Sequence, residues 1–212
     1  MTKMKVELID SAGGDLSVVN SARVSFNKEV SEVEEKDEKL INYLARHNHM
    51  TPFRHNFVQL RCKVPLFLAR QLMKHQAGLT WNEESRRYVD DMPEFYTPKE
   101  WRGRPEGSIK QGSKGSVKND GAIQSWYRHH VESCKENYRG LLENGVAPEM
   151  ARMILPQSMM VNFIWSGNLL AFAHVYKLRI GEGSQEEAKE FAGLLGEVIK
   201  PKFPISWTAV VE

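Results

Sequence analysis

The segment Asn56–Val64, NFVQLRCKV, alternates without a break: Val58, Leu60, Cys62 and Val64 fall on one face, and Gln59, Arg61 and Lys63 on the other. A period of two held over this length commits the chain to a strand with one buried face. Pro65 follows at once. Proline suits the first helical position, because the amide hydrogen it lacks would have no intrahelical partner there. The sequence therefore predicts a strand passing directly into a helix that runs to about Gln76, with Gly78 just beyond its end. On that helix Phe67 and Met73 can pack inward, while Gln71, Lys74 and His75 share a face by i, i+3 and i+4 spacing.

Most of the remaining chain reads as helix. Residues 4–9, MKVELI, are a short strand, and Leu16 to Phe26 is a helix with a short extension. Leu40, Ile41 and Leu44 carry helical spacing within Glu34 to His47, and a turn follows through Phe53. Ile123 to Leu142 keeps a 3.6 period and is ended by Asn144-Gly145. Pro148 opens a short helix, APEMARMIL, that stops at Pro156. Met159 to Arg179 is mostly apolar and reads as one long central helix. Ser184-Gln-Glu-Glu187 has a capping-box pattern and starts a last helix reaching about Ile199. Residues 97–120 are rich in glycine, proline, serine and threonine and read as an exposed loop. Within it GSIKQGSK (107–114) is not a phosphate loop, since the order is Gly-Ser-Lys rather than Gly-Lys-Ser. The sum is an α+β fold, a small antiparallel sheet packed with several long helices, in a single domain over residues 1–212.

A formal charge of +2, from 29 basic and 27 acidic residues, argues against a dedicated nucleic-acid protein. The opening MTKMKVELID carries charge where an apolar leader segment would sit, and no run approaches a membrane span, so a soluble, cytoplasmic protein is expected. Cys62 lies on the inward face of its strand and Cys134 on the apolar stripe of its helix; both read as core residues rather than activated nucleophiles. His47, His49 and His55 have no carboxylate or cysteine at ligand spacing, so no metal site is assigned. No GxGxxG follows a strand, and any dinucleotide must be held in another way.

The chemistry concentrates in RQLMKHQAGLTWNEESRRY (70–88), which sets Arg70, Lys74, His75, Glu83, Glu84, Arg86 and Arg87 among few apolar residues. Ser85-Arg86-Arg87 offers a hydroxyl, guanidinium forks and nearby amides, the parts of a phosphate cradle, with Glu83 beside it to accept from a sugar or an amide. The competing reading is a solvated charged hairpin. Arg152, inside MARMIL, is either an anion partner or the polar side of a short helix. Asn168, His174 and Arg179 interrupt an apolar run; Asn168 needs a specific hydrogen-bond partner, His174 suits a core or a ligand, and Arg179 also suits a helix C-terminus.

Taken in order along the chain, ARVSF (22–26), the H-x-H-x-TPF turn (47–53), FLARQ (67–71), NE-x-S-x-RY (82–88), AR-x-x-LP (151–156) and the Leu178-Arg179 pair resemble the flavin-dependent thymidylate synthases. The family signature, R-H-R followed by S-x-R, is met here in degenerate form by Lys74-His75-Gln76 and Ser85-Arg86-Arg87, and such a degenerate form looks like that of viral relatives. The resemblance implies synthesis of dTMP from dUMP, with methylenetetrahydrofolate as carbon donor, FAD as flavin and NADPH as reductant. It implies a homotetramer with active sites at subunit interfaces, in the cytoplasm (the host's, if viral). By matching position it puts Gln71, Lys74, Glu83, Glu84, Ser85, Arg86, Arg87, Arg152 and Arg179 on dUMP, with Arg179 as the catalytic, activating arginine. It puts Ser25, Thr51, Lys74, His75, Gln76, Glu83, Asn168, Leu170 and His174 on FAD. Lys74 and Gln76 stand where arginines are usual, Leu170 where an arginine is common, and Ile180–Gln185 replaces a histidine-containing stretch, which together point to weaker flavin or folate affinity. A second reading, of another class, is a nucleotide- or RNA-binding module of the same fold that has lost catalysis, suggested by the altered 74–76 triplet and the basic stretch Lys99 to Arg139.

Overall fold

The alternation over residues 56–64 is realised: Val58, Leu60, Cys62 and Val64 are all fully buried in a strand, Phe57–Pro65. The computed structural model describes residues 2–106 and 112–212. Its strands are β1 (Lys5–Ala12), β2 (Phe57–Pro65), β3 (Leu79–Glu83), β4 (Arg102–Gly103), β5 (Lys114–Ser116) and β6 (Met160–Gly167). Its helices are α1 (Asp15–Arg23), α2 (Glu35–Arg46), α3 (Leu66–Leu72), α4 (Asp120–Glu143), α5 (Pro148–Ala151), α6 (Leu169–Ile180), α7 (Glu186–Ile199) and α8 (Pro204–Val211). A four-stranded sheet runs in the order β1-β2-β6-β3, and β4 pairs antiparallel with β5. This is the α+β class expected, with a small antiparallel sheet among helices. No helix among the described residues is long and apolar enough to cross a membrane.

The chain forms two compact units. One takes Lys63–Gln71 and Glu83–Phe163 with the first residues of the chain; the other takes Lys5–Cys62, Leu72–Asn82 and Ile164–Glu212. In the first, α4 buries Val131, Cys134 and Tyr138 and packs on α5 and the 3-10 turn Arg152–Ile154. The segment around Phe95 bridges Met159, and Leu66 N and Phe67 N donate to the carbonyls of Met159 (2.8 Å) and Gln157 (3.0 Å). These bonds fix the start of α3 against residues 157–159, close to Arg152 in sequence.

In the second unit α6 packs on α7 and α8, α2 packs on α8, and α7 covers β1. Trp165 is fully buried, with Phe172 edge-on at 5.3 Å and Trp81 at 5.5 Å. Asp15, at the first position of α1, accepts from Ile205 N (3.0 Å) and Ser206 N (2.8 Å). Those are orphan amides in the first turn of α8, so a buried carboxylate from the start of the chain caps its last helix. Asp37 is also fully buried. Burial pushes its carboxyl up, but hydrogen bonds from Arg23 and the Glu34 amide hold it below the ordinary carboxylate range.

Several expected elements differ. Met159 to Arg179 is not one helix but β6 followed by α6. Val161, Phe163 and Trp165 are branched or aromatic and alternate inward, while Gly167-Asn168 breaks the run, and Asn168 caps α6 by accepting from Ala171 N at 2.9 Å. The helix after β2 stops at Leu72 rather than Gln76, so Gln71, Lys74 and His75 share no helical face, and Met73 is exposed. Pro65 closes β2 instead of opening α3. Ser184 does not cap α7, whose N-cap is Gln185; its hydroxyl donates to Leu178 O at 3.1 Å. β3 and α8 have no counterpart in the sequence reading. The 97–120 loop carries the short β4–β5 pair, and most of GSIKQGSK lies outside the described residues.

Candidate active site

In the first unit a pocket of about 600 Å³ is lined by Arg70, Glu83, Glu84, Ser85, Arg86 and Arg152, with Met153, Leu155 and Val161 among its apolar walls. Arg152 starts the 3-10 turn after α5; its Nε donates to Glu149 O at 3.1 Å, and the side chain is exposed. Arg70 projects from α3, also exposed. Ser85 heads a tight turn: its carbonyl accepts from Tyr88 N (3.0 Å) and Val89 N (3.1 Å), and its hydroxyl accepts from Arg87 N (3.3 Å). A hydroxyl and two exposed guanidinium groups around one cavity make a site for an oxyanion.

The other arginines of the Ser85 segment behave differently. Arg86 is buried, donates to Asp91 O and Oδ1 at 2.6 and 2.9 Å, and lies 3.4 Å from Glu84. Arg87 is exposed and turned onto Tyr88, 5.0 Å above the ring centre, with Nη2 donating to the phenol oxygen. Gln71 is half-buried and does not line the pocket.

In the second unit Arg179, in the last turn of α6, donates from Nε to His75 Nε2 at 3.1 Å. His75 must therefore be neutral, with its proton on Nδ1. Burial lowers its pKa below the ordinary histidine value, and the charges of Arg179 and His174 add to the effect; burial lowers that of Arg179 as well. The turn holding His75 is pressed against the start of α6. Gly78 has φ +74°, and a Cβ there would meet Asn168 Nδ2 at 2.9 Å; one on Gly167 would meet the Gly78 carbonyl oxygen at 2.3 Å. Lys74, Gln76 and His174 are exposed, whereas Leu170 is buried, so it can offer packing only.

A second cavity in this unit, about 860 Å³, is lined in part by Ser25, Thr51, Phe26, Tyr43, His49 and His55. Phe26 is 77% exposed and Tyr43 52%. Open aromatic rings, hydroxyls and imidazoles around a cavity of this size can stack on a planar ring and hydrogen-bond polar groups of a ligand. Ser25 and Thr51, both assigned to FAD by resemblance, thus share one cavity.

Residues 7–205 match the family described as thymidylate synthase complementing protein. The chain is 37% identical over 207 residues to a flavin-dependent thymidylate synthase of Thermus thermophilus, covering 98% of this chain and 75% of the relative. The chain belongs to the flavin-dependent thymidylate synthase family. The relative from Thermotoga neapolitana is 35% identical over 207 residues, covering 98% of this chain and 90% of its own. Among solved structures, a UMP/dUMP methylase, PolB, from Streptomyces cacaoi bound with 5-Br dUMP superposes with a TM-score of 0.87 at 30% identity, covering 98% of this chain and 94% of that one.

Of the residues assigned to dUMP, the first-unit pocket gathers Glu83, Glu84, Ser85, Arg86 and Arg152. The second unit joins His75 to Arg179 and sets Asn168 beside the same turn. Sequence reasoning passes over Arg70 as a pocket residue, although it adjoins Gln71 on α3. It also misses Asn162, whose Nδ2 donates to Glu84 Oε2 at 2.7 Å. No sequence signal marks Asn162, because its region reads as helix.

The Arg179–His75 bond makes a pH prediction. Since the folded-state pKa of His75 lies below the ordinary histidine value of 6.5, the unfolded chain takes up the proton first as pH falls. The stability due to neutral His75 is complete above about 6.5 and is lost as pH drops through the folded value. Protonation also turns the acceptor of Arg179 into a second cation. We expect kcat to fall on the acid side as pH drops through that lowered folded value, and His75→Gln, which accepts without titrating, to flatten that limb. An acid limb identical in His75→Gln would separate it from this contact.

Proposed function

We propose that the chain acts as an FAD-dependent methyltransferase whose first-unit pocket takes the phosphate of dUMP, and, on the family resemblance, that Arg179 of the same or another subunit is the cation that addresses the pyrimidine. The reaction is dTMP synthesis, the activity named for its family relatives, with methylenetetrahydrofolate as carbon donor. The observation that supports the site assignment best is the shared pocket of Ser85, Arg70 and Arg152, two exposed cations and a hydroxyl in a chain of this family. A dianionic phosphate satisfies both guanidinium groups and accepts from the serine. Glu83, Glu84, Gln71, Lys74 and Arg87 complete the nucleotide set we assign, and Arg86 lines the same pocket.

Uracil C5 becomes nucleophilic only if negative charge can build on the ring. A fixed cation at the N3–O edge stabilises that charge without needing to reorganise, and Arg179, steadied through Nε by neutral His75, is suited to the task. A covalent route through a thiolate has no support. Cys62 and Cys134 are both buried, and burial raises both thiols, Cys62 further so through the charge of Glu7. We assign Ser25, Thr51, Lys74, His75, Gln76, Glu83, Asn168, Leu170 and His174 to holding FAD. When bound, the flavin supplies redox chemistry, carrying reducing equivalents from NADPH to the transferred carbon. We further read residues 1–212 as one functional domain of a cytoplasmic homotetramer with active sites at subunit interfaces, as the family resemblance implies; the single match over 7–205 supports the first part.

The deciding experiment adds FAD, folate and NADPH to purified protein and follows tritium release from C5-labelled dUMP. The protein should turn yellow and release tritium, and prior alkylation of thiols under native conditions should leave turnover within about twofold. Colourless protein that ignores FAD and retains RNA on a filter would replace this reading with the RNA-binding one.

A further inference from the structure

Arg86 lines the first-unit pocket, yet Nη1 of its guanidinium is bound to a residue outside the lining and Nη2 is paired with a carboxylate within it. The residue is 8% exposed, while Arg70 and Arg152 around the same cavity are open to solvent. Nη1 donates to the backbone carbonyl of Asp91 at 2.6 Å and to its carboxylate at 2.9 Å, and Asp91 does not line the pocket. Nη2 lies 3.4 Å from Glu84. Glu84 is in turn tied to β6, through Asn162 Nδ2 at 2.7 Å and through its own amide to Asn162 O at 2.9 Å. Residues 84 and 86 are therefore both anchored, and Ser85 between them has little freedom to leave the pocket wall.

We propose that Arg86 is a positioning residue and not a ligand of the nucleotide: bracketed by Glu84 and Asp91, it holds the Ser85 turn in place and neutralises Glu84 within the pocket. Two carboxylates, Glu83 and Glu84, line a cavity meant for an anion. Without Arg86, the charge of Glu84 would face the phosphate uncompensated. A buried guanidinium held through Nη1 by the Asp91 carbonyl and carboxylate would have to give up those two bonds to turn toward a ligand, and the rupture would leave Asp91 O without its donor. This role rests on the reading of the pocket as the dUMP site.

The test is the Asp91→Ala variant, because Asp91 touches Arg86 but not the pocket. Steady-state kinetics should show KM for dUMP raised roughly threefold to tenfold, with kcat, the folate KM and flavin content within about twofold. Arg86→Ala should raise KM further, and Arg86→Ala/Glu84→Gln should recover part of the loss, since the unpaired carboxylate is gone. If Arg86 were a direct ligand, Asp91→Ala would release its guanidinium and leave KM unchanged or lower; that result overturns the proposal, as does a double variant no better than Arg86→Ala. A lower melting temperature with KM unmoved would assign the network to folding alone and also overturn it. Wild-type protein that binds no dUMP in equilibrium titration would instead remove the pocket reading itself, and this role with it.

Discussion

Replacing Arg179 with alanine is expected to lower kcat roughly 10²–10³-fold while the protein still folds and still binds FAD. The magnitude is that of removing one preorganised group from a site where charge develops in the transition state. Folding should survive because Arg179 is half-buried near the C-terminus of α6, and Leu169, Phe172 and Val175 carry the core contacts of that helix. Lysine at this position keeps a cation but loses the planar fork and the Nε–H that meets His75. Arg179→Lys should therefore fall between wild type and alanine in kcat, with its acid limb no longer dependent on His75. Single-turnover rates with saturating dUMP and folate give the cleanest measure. Unchanged turnover in Arg179→Ala would mean that the activating cation is another residue.

How much of this is legible in the sequence depends on which forces wrote the local pattern. β2 announces itself because one of its faces is buried and the other is not, so its side chains alternate in chemistry. α4 does so because it is long and amphipathic. The run Met159–Arg179 is harder to read: the alternation of Val161, Phe163 and Trp165 is short and interrupted by apolar Ile164, and the apolar start of α6 follows it closely enough that the two merge into one apolar stretch. α8 escapes for a similar reason; PISWTAVV has no charged face, and its N-terminal amides are capped by Asp15, which lies far away in sequence. Ser85 and Arg152 can be picked out as anion-binding candidates from composition and resemblance. The separation of Arg86 from them cannot, since it depends on a partner, Asp91, whose side chain is an ordinary exposed carboxylate in every other respect. The bond between His75 and Arg179 is equally hidden, because α3 stops at Leu72 and the turn that follows decides where His75 points.

That turn leaves no room for a side chain at Gly167. A Cβ there would lie 2.3 Å from the Gly78 carbonyl oxygen and 2.6 Å from Leu79 Cδ2. The leucine end can rotate away, but the carbonyl can move only with its turn. The turn is also hemmed in by the start of α6, since a Cβ on Gly78 would meet Asn168 Nδ2 at 2.9 Å and Ala171 Cβ at 3.3 Å. Gly167→Ala must therefore displace either the end of β6 or the 75–79 turn by about 1 Å, an overpacking cost of roughly 3 kcal/mol. The melting temperature should fall by roughly 5–10 °C. Because the turn carries His75, the surviving folded enzyme should also lose kcat by roughly tenfold to a hundredfold, the usual effect of an ångström of misplacement near reacting groups. Gly193→Ala is the counterpart: Gly193 lies within α7, and a Cβ there meets nothing within 4 Å. It should raise stability by about 0.4–1 kcal/mol, by restricting the unfolded chain, with turnover unaltered. If Gly167→Ala melts and turns over like wild type, β6 and the His75 turn are not in the close contact on which the orientation of Arg179 depends.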